Sequence, residues 1–231
     1  MEIGTLYIVA TPIGNLGDIT LRALETLRMV DLIVCEDTRV TKNLLNHYTI
    51  IKPTMSYHQY SDDSRIREIQ ELLVAGKNIA LVTDAGTPGI SDPGNYLINQ
   101  LINTKSSLDS AMKQIPIVPL PGASAVVAAL SISGFTTDKF LFLGFPPHKK
   151  GRKDFFSKIE ASEYTVVFYE SCHRIAKCLH TLAEILDSDR SICVCRELSK
   201  KFESVYRGTC AEINQKKIPE KGEFVVVISS K

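Results

Sequence analysis

Several things are missing from this chain, and each absence narrows what it can be. No apolar run approaches the ~20 residues that span a bilayer. The opening Met1-Glu2-Ile3-Gly4-Thr5 leads into a strand-like segment without the basic stretch and apolar core of a secretory leader, so a cytoplasmic location is expected. Charge of one sign is also lacking: 27 Lys and Arg face 26 Asp and Glu, and the net +1 gives no global attraction to nucleic acid or lipid. Any basic surface must be local. The six cysteines form no C-x-x-C pair and no Cys/His cluster at zinc spacing, so no metal is expected and the thiols read as reduced and structural. Cys193 and Cys195, two apart in a strand-like run, should face the same side of a sheet. No G-x-G-x-x-G follows the first strand and no P-loop lysine occurs, which removes the standard dinucleotide and triphosphate fingerprints.

What is present is an alternating α/β pattern over 231 residues, 44% of them hydrophobic, enough for one large domain or two ordinary ones. Strand-like runs at Leu6–Ala10, Leu32–Cys35, Thr54–Tyr57 and Asn78–Leu81 alternate with helical patterns at about 19–29, 40–46 and 64–75, which predicts a mainly parallel sheet. Within 64–75, Ile66, Ile69, Leu72 and Leu73 share one helix face. The polar stretch 104–110 reads as a surface insertion, and Ile115–Pro119 as an edge strand or crossover because its prolines cannot donate to a ladder. A domain boundary is expected here, giving units 1–117 and 118–231. The second half alternates helices at about 124–130, 153–162 and 175–186 with strands at about 140–143, 165–169 and 192–195. It closes on consecutive β-like runs at 204–207 and 224–228, predicting a mixed sheet.

The richest segment is Val82-Thr83-Asp84-Ala85-Gly86-Thr87-Pro88-Gly89-Ile90-Ser91-Asp92-Pro93-Gly94, where an apolar strand empties into a loop of glycines and prolines. Glycines let backbone approach a ligand and prolines hold one shape, and the carboxyl end of a strand is where open α/β sheets bind small molecules. Asp84 and Asp92 can contact ligand or brace the loop. Pro121-Gly122-Ala123-Ser124-Ala125 and Thr11-Pro12-Ile13-Gly14-Asn15 are similar turns. Either alone is ordinary turn or cap chemistry, but three such loops together point to a site.

Polar groups gather after other strands: Glu36-Asp37-Thr38-Arg39, Glu170-Ser171-Cys172-His173-Arg174, and Arg196-Glu197 with Lys200 and Lys201. Their ordinary reading is helix starts and salt-bridged loops. A basic run, His148-Lys149-Lys150-Gly151-Arg152-Lys153, joins Arg174, Arg196, Lys200 and Lys201 in one half of the chain, a local source of phosphate contacts.

Taken in order, these segments resemble the tetrapyrrole methylase superfamily. Thr11-Pro12-Ile13-Gly14-Asn15 and Glu36-Asp37-Thr38-Arg39 resemble its ribosomal-RNA-modifying branch in particular. Cys172 departs from the proline usual between Ser171 and His173. The resemblance implies two α/β domains with S-adenosyl-L-methionine in a cleft between them, commonly in a homodimer. It also implies methylation of the ribose 2′-OH of a cytidine in 16S rRNA near the decoding centre, on free RNA or the small ribosomal subunit. By position it assigns cofactor contacts to Pro12, Gly86, Thr87, Ile90, Ser91, Ser124, Ala125 and Tyr169.

Methyl transfer to a hydroxyl is an in-line displacement that needs positioning and help in removing a proton. Candidates for the catalytic groups are Glu36, Asp37, Arg39, Glu170, His173, Arg174 and Glu197, among which spacing selects no single base. Lys149, Lys150, Arg152 and Lys200 are the candidates for RNA phosphates. Two other readings stay open: a methylase of small tetrapyrrole-type molecules, and a non-catalytic RNA-binding factor of ribosome assembly.

Overall fold

The computed structural model describes residues 2–58, 63–103 and 115–231; the polar stretch 104–110 lies outside them. The chain divides into two compact units, Met1–Ser124 and Ala125–Lys231.

The first unit carries β1 (Leu6–Val9), α1 (Leu21–Met29), β2 (Leu32–Cys35), α2 (Thr38–His47), β3 (Thr54–Ser56), α3 (Asp63–Val74), β4 (Ile79–Val82), α4 (Gly94–Asn103) and β5 (Ile117–Leu120). The strands form one parallel sheet in the order β3-β2-β4-β1-β5. All four residues of β4 are buried, which is why its sequence is continuously apolar instead of alternating. Successive side chains still point to opposite faces. Ile79, Leu81 and Val34 pack with Ile66, Ile69 and Leu73 of α3 and Leu97 of α4. Ala80, Val82, Ile33 and Cys35 pack with Ala23 and Leu27 of α1 and Leu45 of α2.

The connection from β1 to β2 therefore passes over β4 on one face, while that from β4 to β5 passes over β1 on the other. The carboxyl ends of β1 and β4 are a topological switch point, where crevices open in such sheets. β5 is an edge strand paired to β1 alone, with Pro119 opposite Ile8, as a residue lacking N–H requires. That pairing carries β5 into the first sheet. The compact units divide between Ser124 and Ala125, beyond the 117/118 boundary that the prolines suggested.

The second unit carries α5 (Ala125–Ser133), β6 (Phe140–Phe142), α6 (Arg152–Ala161), β7 (Thr165–Ser171), α7 (Ile175–Ile185), β8 (Ser191–Arg196), β9 (Ser204–Thr209), α8 (Cys210–Asn214) and β10 (Glu223–Ile228). The sheet order is β6-β7-β10-β8-β9, with β6 and β7 parallel and the other pairs antiparallel, a mixed sheet as expected. Val166, Phe168, Val194, Phe224 and Val226 meet α6, α7 and α8 on one face. α5 packs against β7 and β10. Cys193 and Cys195 share a face, fully buried, with Sγ atoms 3.7 Å apart. The short α8 was not expected, yet its start carries a capping box in which Thr209 and Glu212 bond each other's backbone N–H. Among the described residues no helix is long and apolar enough to cross a membrane, and no cluster of His, Cys, Asp and Glu could hold a metal ion.

Arg190 is the chief polar element of this unit's interior. Only 5% exposed, it donates to Ile159 O (3.1 Å), Glu160 O (3.2 Å) and Ser162 O (3.1 Å) at the end of α6 and to Ser229 O (3.0 Å) after β10. The first three are carbonyls at a helix end, where intrahelical donors run out. Replacement by alanine removes this shared donor and leaves buried carbonyls short of partners, so Arg190→Ala should lower unfolding stability by about 3 kcal/mol, read as a lower urea midpoint.

Candidate functional site

In the first unit, the loops leaving β1, β4 and β5 are joined by backbone. Thr11 N–H donates to Gly86 O (2.9 Å) and Gly86 N–H to Thr11 O (3.0 Å), a small antiparallel bridge between chains leaving parallel strands. Thr11 Oγ1 also donates to Thr83 O (3.0 Å), and Thr87 Oγ1 donates to Ala123 O (3.1 Å), which brings in the third loop. Gly86 sits at φ 89°, where a Cβ is disfavoured, and a Cβ at Gly122 would come 2.7 Å from that of Ala10. The three loops can lie this close because glycine occupies those positions.

Beyond Gly86 the β4 loop is internally braced. Asp92 Oδ1 accepts from Gly89 N–H (2.8 Å) and Gly94 N–H (2.9 Å), and Asn95 Nδ2 donates to Gly89 O (2.5 Å). Asp92 is thus a loop brace at the start of α4. The brace leaves Ile90 46% exposed and Ser91 at φ 68°, a strained conformation for a residue with a side chain. Pro12 and Gly86 are buried, Thr87 and Ser124 half-buried, and Ala125 opens α5 at the start of the second unit. Pro12, Gly86, Thr87, Ile90, Ser91 and Ser124 all fall in this joined loop system.

Beside it lie carboxylates at the ends of β2 and β4. Glu36 Oε2 accepts from Thr83 Oγ1 (3.2 Å), and Asp84 Oδ1 accepts from Asp37 N–H (3.1 Å). Partial burial raises the pKa of Glu36, and the neighbouring charge of Asp84 raises it further. Asp84 is raised too, again chiefly by desolvation. Asp37 goes the other way. It caps α2 by accepting from Arg39 N–H (2.8 Å), and the Arg39 guanidinium lies 2.6 Å from Oδ2, holding its pKa down to about 2. Of the Glu-Asp-Thr-Arg segment, Glu36 is therefore the carboxylate whose surroundings raise its proton affinity, and Asp37 is committed to the cap and to Arg39.

The second unit places its predicted residues differently. β7 runs two residues past its expected end at Tyr169, because Glu170 pairs with Phe224 and Ser171 with Glu223 on β10. Strand alternation then puts Glu170 on the face of Val166 and Phe168, with its side chain fully buried. It is an internal carboxylate, set among Ser171 N–H (2.8 Å), Arg174 Nε (2.8 Å) and Arg152 Nη1 (3.8 Å). Arg152, expected at RNA phosphates, turns inward: it precedes Phe155, Phe156 and Ile159 at helical spacing, lies over the Phe156 ring at 5.0 Å and is 17% exposed. Period-two reading of 166–170 and the i, i+3, i+4, i+7 set from Arg152 were the signals available in the sequence.

Tyr169 points to the other face, its ring 5.2 Å from those of Phe142 and Phe145. His173, Lys149 and Lys150 are exposed. At Cys172 the turn is closed by Arg174 N–H donating to Ser171 O (3.0 Å). Glu197, at φ 53°, accepts from Glu223 N–H (2.9 Å) and Lys200 Nζ (3.1 Å); Lys200 also reaches Glu223 Oε2 (2.8 Å). Glu197 and Lys200 are thereby each other's partners at the start of β10. The pKa of Glu197 is lowered by those bonds despite its desolvation.

With loops and carboxylates in place, the chain can be set beside known proteins. It belongs to the tetrapyrrole methylase family: the family model described as Tetrapyrrole (Corrin/Porphyrin) Methylases matches residues 5–214. Within it, the chain falls among proteins named ribosomal RNA small subunit methyltransferase I. It is 46% identical to the protein of that name from Synechocystis sp., over 98% of this chain and 79% of the relative. The Thermotoga maritima protein is 42% identical over 99% of both chains. Among solved structures, the methyltransferase CobJ superposes with a TM-score of 0.70 at 17% identity, covering 98% of this chain and 94% of that one. The uroporphyrin-III C-methyltransferase from Thermus thermophilus, solved in complex with S-adenosyl homocysteine, has a TM-score of 0.64 at 16% identity, covering 98% and 97%.

The Asp37–Arg39 pair has a direct consequence for acid stability. An acid whose folded pKa lies below its unfolded value of 3.8 contributes stability above that value and loses it as pH falls toward about 2. Asp37→Asn, which keeps a cap acceptor, should therefore flatten the loss of stability between pH 4 and 2, seen by acid titration of the circular dichroism signal.

Proposed function

We propose that this protein is an S-adenosyl-L-methionine-dependent methyltransferase that methylates the ribose 2′-OH of a cytidine in 16S rRNA. The observation that carries the chemistry is the joined loop system at the β1/β4 switch point with Glu36 beside it. The relatives' shared name supplies the RNA substrate class, and the Thermus thermophilus complex with S-adenosyl homocysteine supports the cofactor. The substrate's location in turn implies a cytoplasmic protein, and the family resemblance a homodimer.

The loops suit such a cofactor. Close backbone at Gly86 and Gly122, the half-exposed apolar Ile90 and the left-handed Ser91 offer amides, carbonyls and an apolar surface to an adenosine and an amino acid moiety. Pro12, Gly86, Thr87, Ile90, Ser91 and Ser124 would hold it, and the family resemblance adds Ala125 and Tyr169 to the contacts. When bound, it supplies a methyl group on a positively charged sulfur. The chain's own tasks are to hold the ribose oxygen in line with that carbon, exclude water and receive the hydroxyl proton. Glu36 takes that role because its environment raises its proton affinity, whereas Asp37 is tied to Arg39. To Arg39, 88% exposed at its side chain, and the exposed His173 we assign contacts with the nucleotide, and to the exposed Lys149 and Lys150 contacts with its phosphates. Arg152, Arg174 and Glu170 brace the loops that carry Lys149, Lys150 and His173, while Glu197 and Lys200 brace the chain after β8 against the start of β10.

Incubation with labelled S-adenosyl-L-methionine and undermethylated small subunits or naked RNA, followed by alkaline digestion, should leave a labelled dinucleotide. A blocked 2′-OH cannot attack the adjoining phosphate. Binding without label transfer would instead identify an assembly factor, and transfer only to a tetrapyrrole a small-molecule methylase.

Glu36→Gln should lower kcat by roughly 100-fold or more while leaving cofactor affinity intact. A base must be deprotonated, so the wild-type rate should rise with pH through a pKa above the ordinary glutamate value of 4.5, and this limb should vanish in the variant. Gly86→Ala forces a side chain into the left-handed region at about 1–2 kcal/mol, and cofactor affinity measured by calorimetry should fall roughly tenfold as the loop leaves its bridged shape.

A further inference from the structure

We infer that Glu170 is a positioning residue for RNA: acting through Arg174 and Arg152 from beneath, it fixes the 144–150 loop in the shape that offers Lys149 and Lys150 to phosphates. The inference rests on the RNA-methylation reading above and assigns a role to a carboxylate that cannot itself reach substrate.

The loop is gripped by its backbone. Gly144 O accepts from Tyr169 N–H (2.9 Å), Pro146 O from Arg174 Nη1 (2.8 Å), Pro147 O from Arg152 Nη1 (3.4 Å) and Lys149 O from Arg152 N–H (3.2 Å). Pro146 is buried, while Phe145, His148, Lys149 and Lys150 stay exposed. The backbone is thus held and the side chains are left for a partner. Lys200, engaged with Glu197 and Glu223, is the opposite case.

Both gripping arginines are oriented by Glu170. Oε1 lies 2.8 Å from Arg174 Nε, and Arg174 Nε also donates to Ser171 Oγ (3.2 Å), which sets the guanidinium plane facing Pro146. Oε2 lies 3.8 Å from Arg152 Nη1, beyond hydrogen-bonding distance, and neither Oε2 nor Arg152 Nη2 has a hydrogen-bond partner among the described residues. A buried charge left partly unsatisfied is a poor stabilising device compared with an apolar side chain of similar size. Two guanidinium groups facing one carboxylate also leave a net positive charge under the loop, of the sign that RNA requires.

The test is steady-state methylation of undermethylated small subunits by Glu170→Gln, by Lys149→Ala/Lys150→Ala, and by the triple variant, with cofactor affinity measured by calorimetry. The expected result for Glu170→Gln is a rise of about fivefold or more in KM for the subunit, with kcat and cofactor affinity within about twofold of wild type. The triple variant should be no worse than the lysine pair alone, because loop and lysines act as one unit. An unchanged subunit KM, a parallel loss of cofactor affinity, or effects that multiply in the triple variant would each overturn the inference. Wild-type protein that transfers no methyl group to RNA would overturn the underlying reading as well, which separates the two failures. Should Glu170→Gln fail to fold, Arg174→Lys keeps the charge but not the guanidinium's reach to Pro146, and the same KM signature is expected or its absence decisive.

Discussion

Two hydrogen bonds between Thr11 and Gly86 hold together the loops at the carboxyl edge of the first unit's sheet. β1 and β4 are parallel neighbours whose chains leave in opposite directions, over opposite faces of the sheet, so nothing in the sheet ladder obliges their loops to meet. The reciprocal bridge makes them meet. It depends on a glycine at φ 89°, and it fixes where Thr87 can reach Ala123 and hence where the loop after β5 lies. The joined loops are shaped by backbone, which explains why prolines and glycines dominate them.

The same residue types do different work in different surroundings. Glu36 is partly desolvated and faces Asp84, so its proton affinity rises; Asp37, next in sequence, caps a helix and meets a guanidinium, so its affinity falls. Raised acids such as Glu36 and Asp84 cost folding stability as pH passes from their unfolded to their folded pKa values, since the folded state binds the extra proton there. A fold selected for stability alone would not gather them. Their position beside the joined loops fits a chemical purpose.

Much of this architecture is legible in the sequence because strong patterns coincide with it. Alternating strands and helices give the parallel sheet, and Pro119 marks β5 as an edge strand. What could not be read were features set by partners distant in sequence. β7 extends to Ser171 only because β10 lies alongside, and that extension turns Glu170 from a loop residue into an interior one. Arg152 looked like one more member of a basic run, although its spacing from Phe155, Phe156 and Ile159 places it on the buried stripe of α6. Asp84 and Asp92 were ambiguous between ligand contact and brace, and the hydrogen bonds to Asp37, Gly89 and Gly94 N–H give both a bracing role. Charge runs and acid clusters show composition; only strand register and helix phase show which members face inward.

Amide hydrogen exchange at Thr11 and Gly86 in the cofactor-free protein tests most directly whether the loop system is preformed. Protection as strong as that of the β1 and β4 core amides, changing little when S-adenosyl-L-methionine is added, is the result a preformed backbone cradle predicts. Rapid exchange at both amides that slows only on adding the cofactor would contradict it, because the bridge would then be a product of binding.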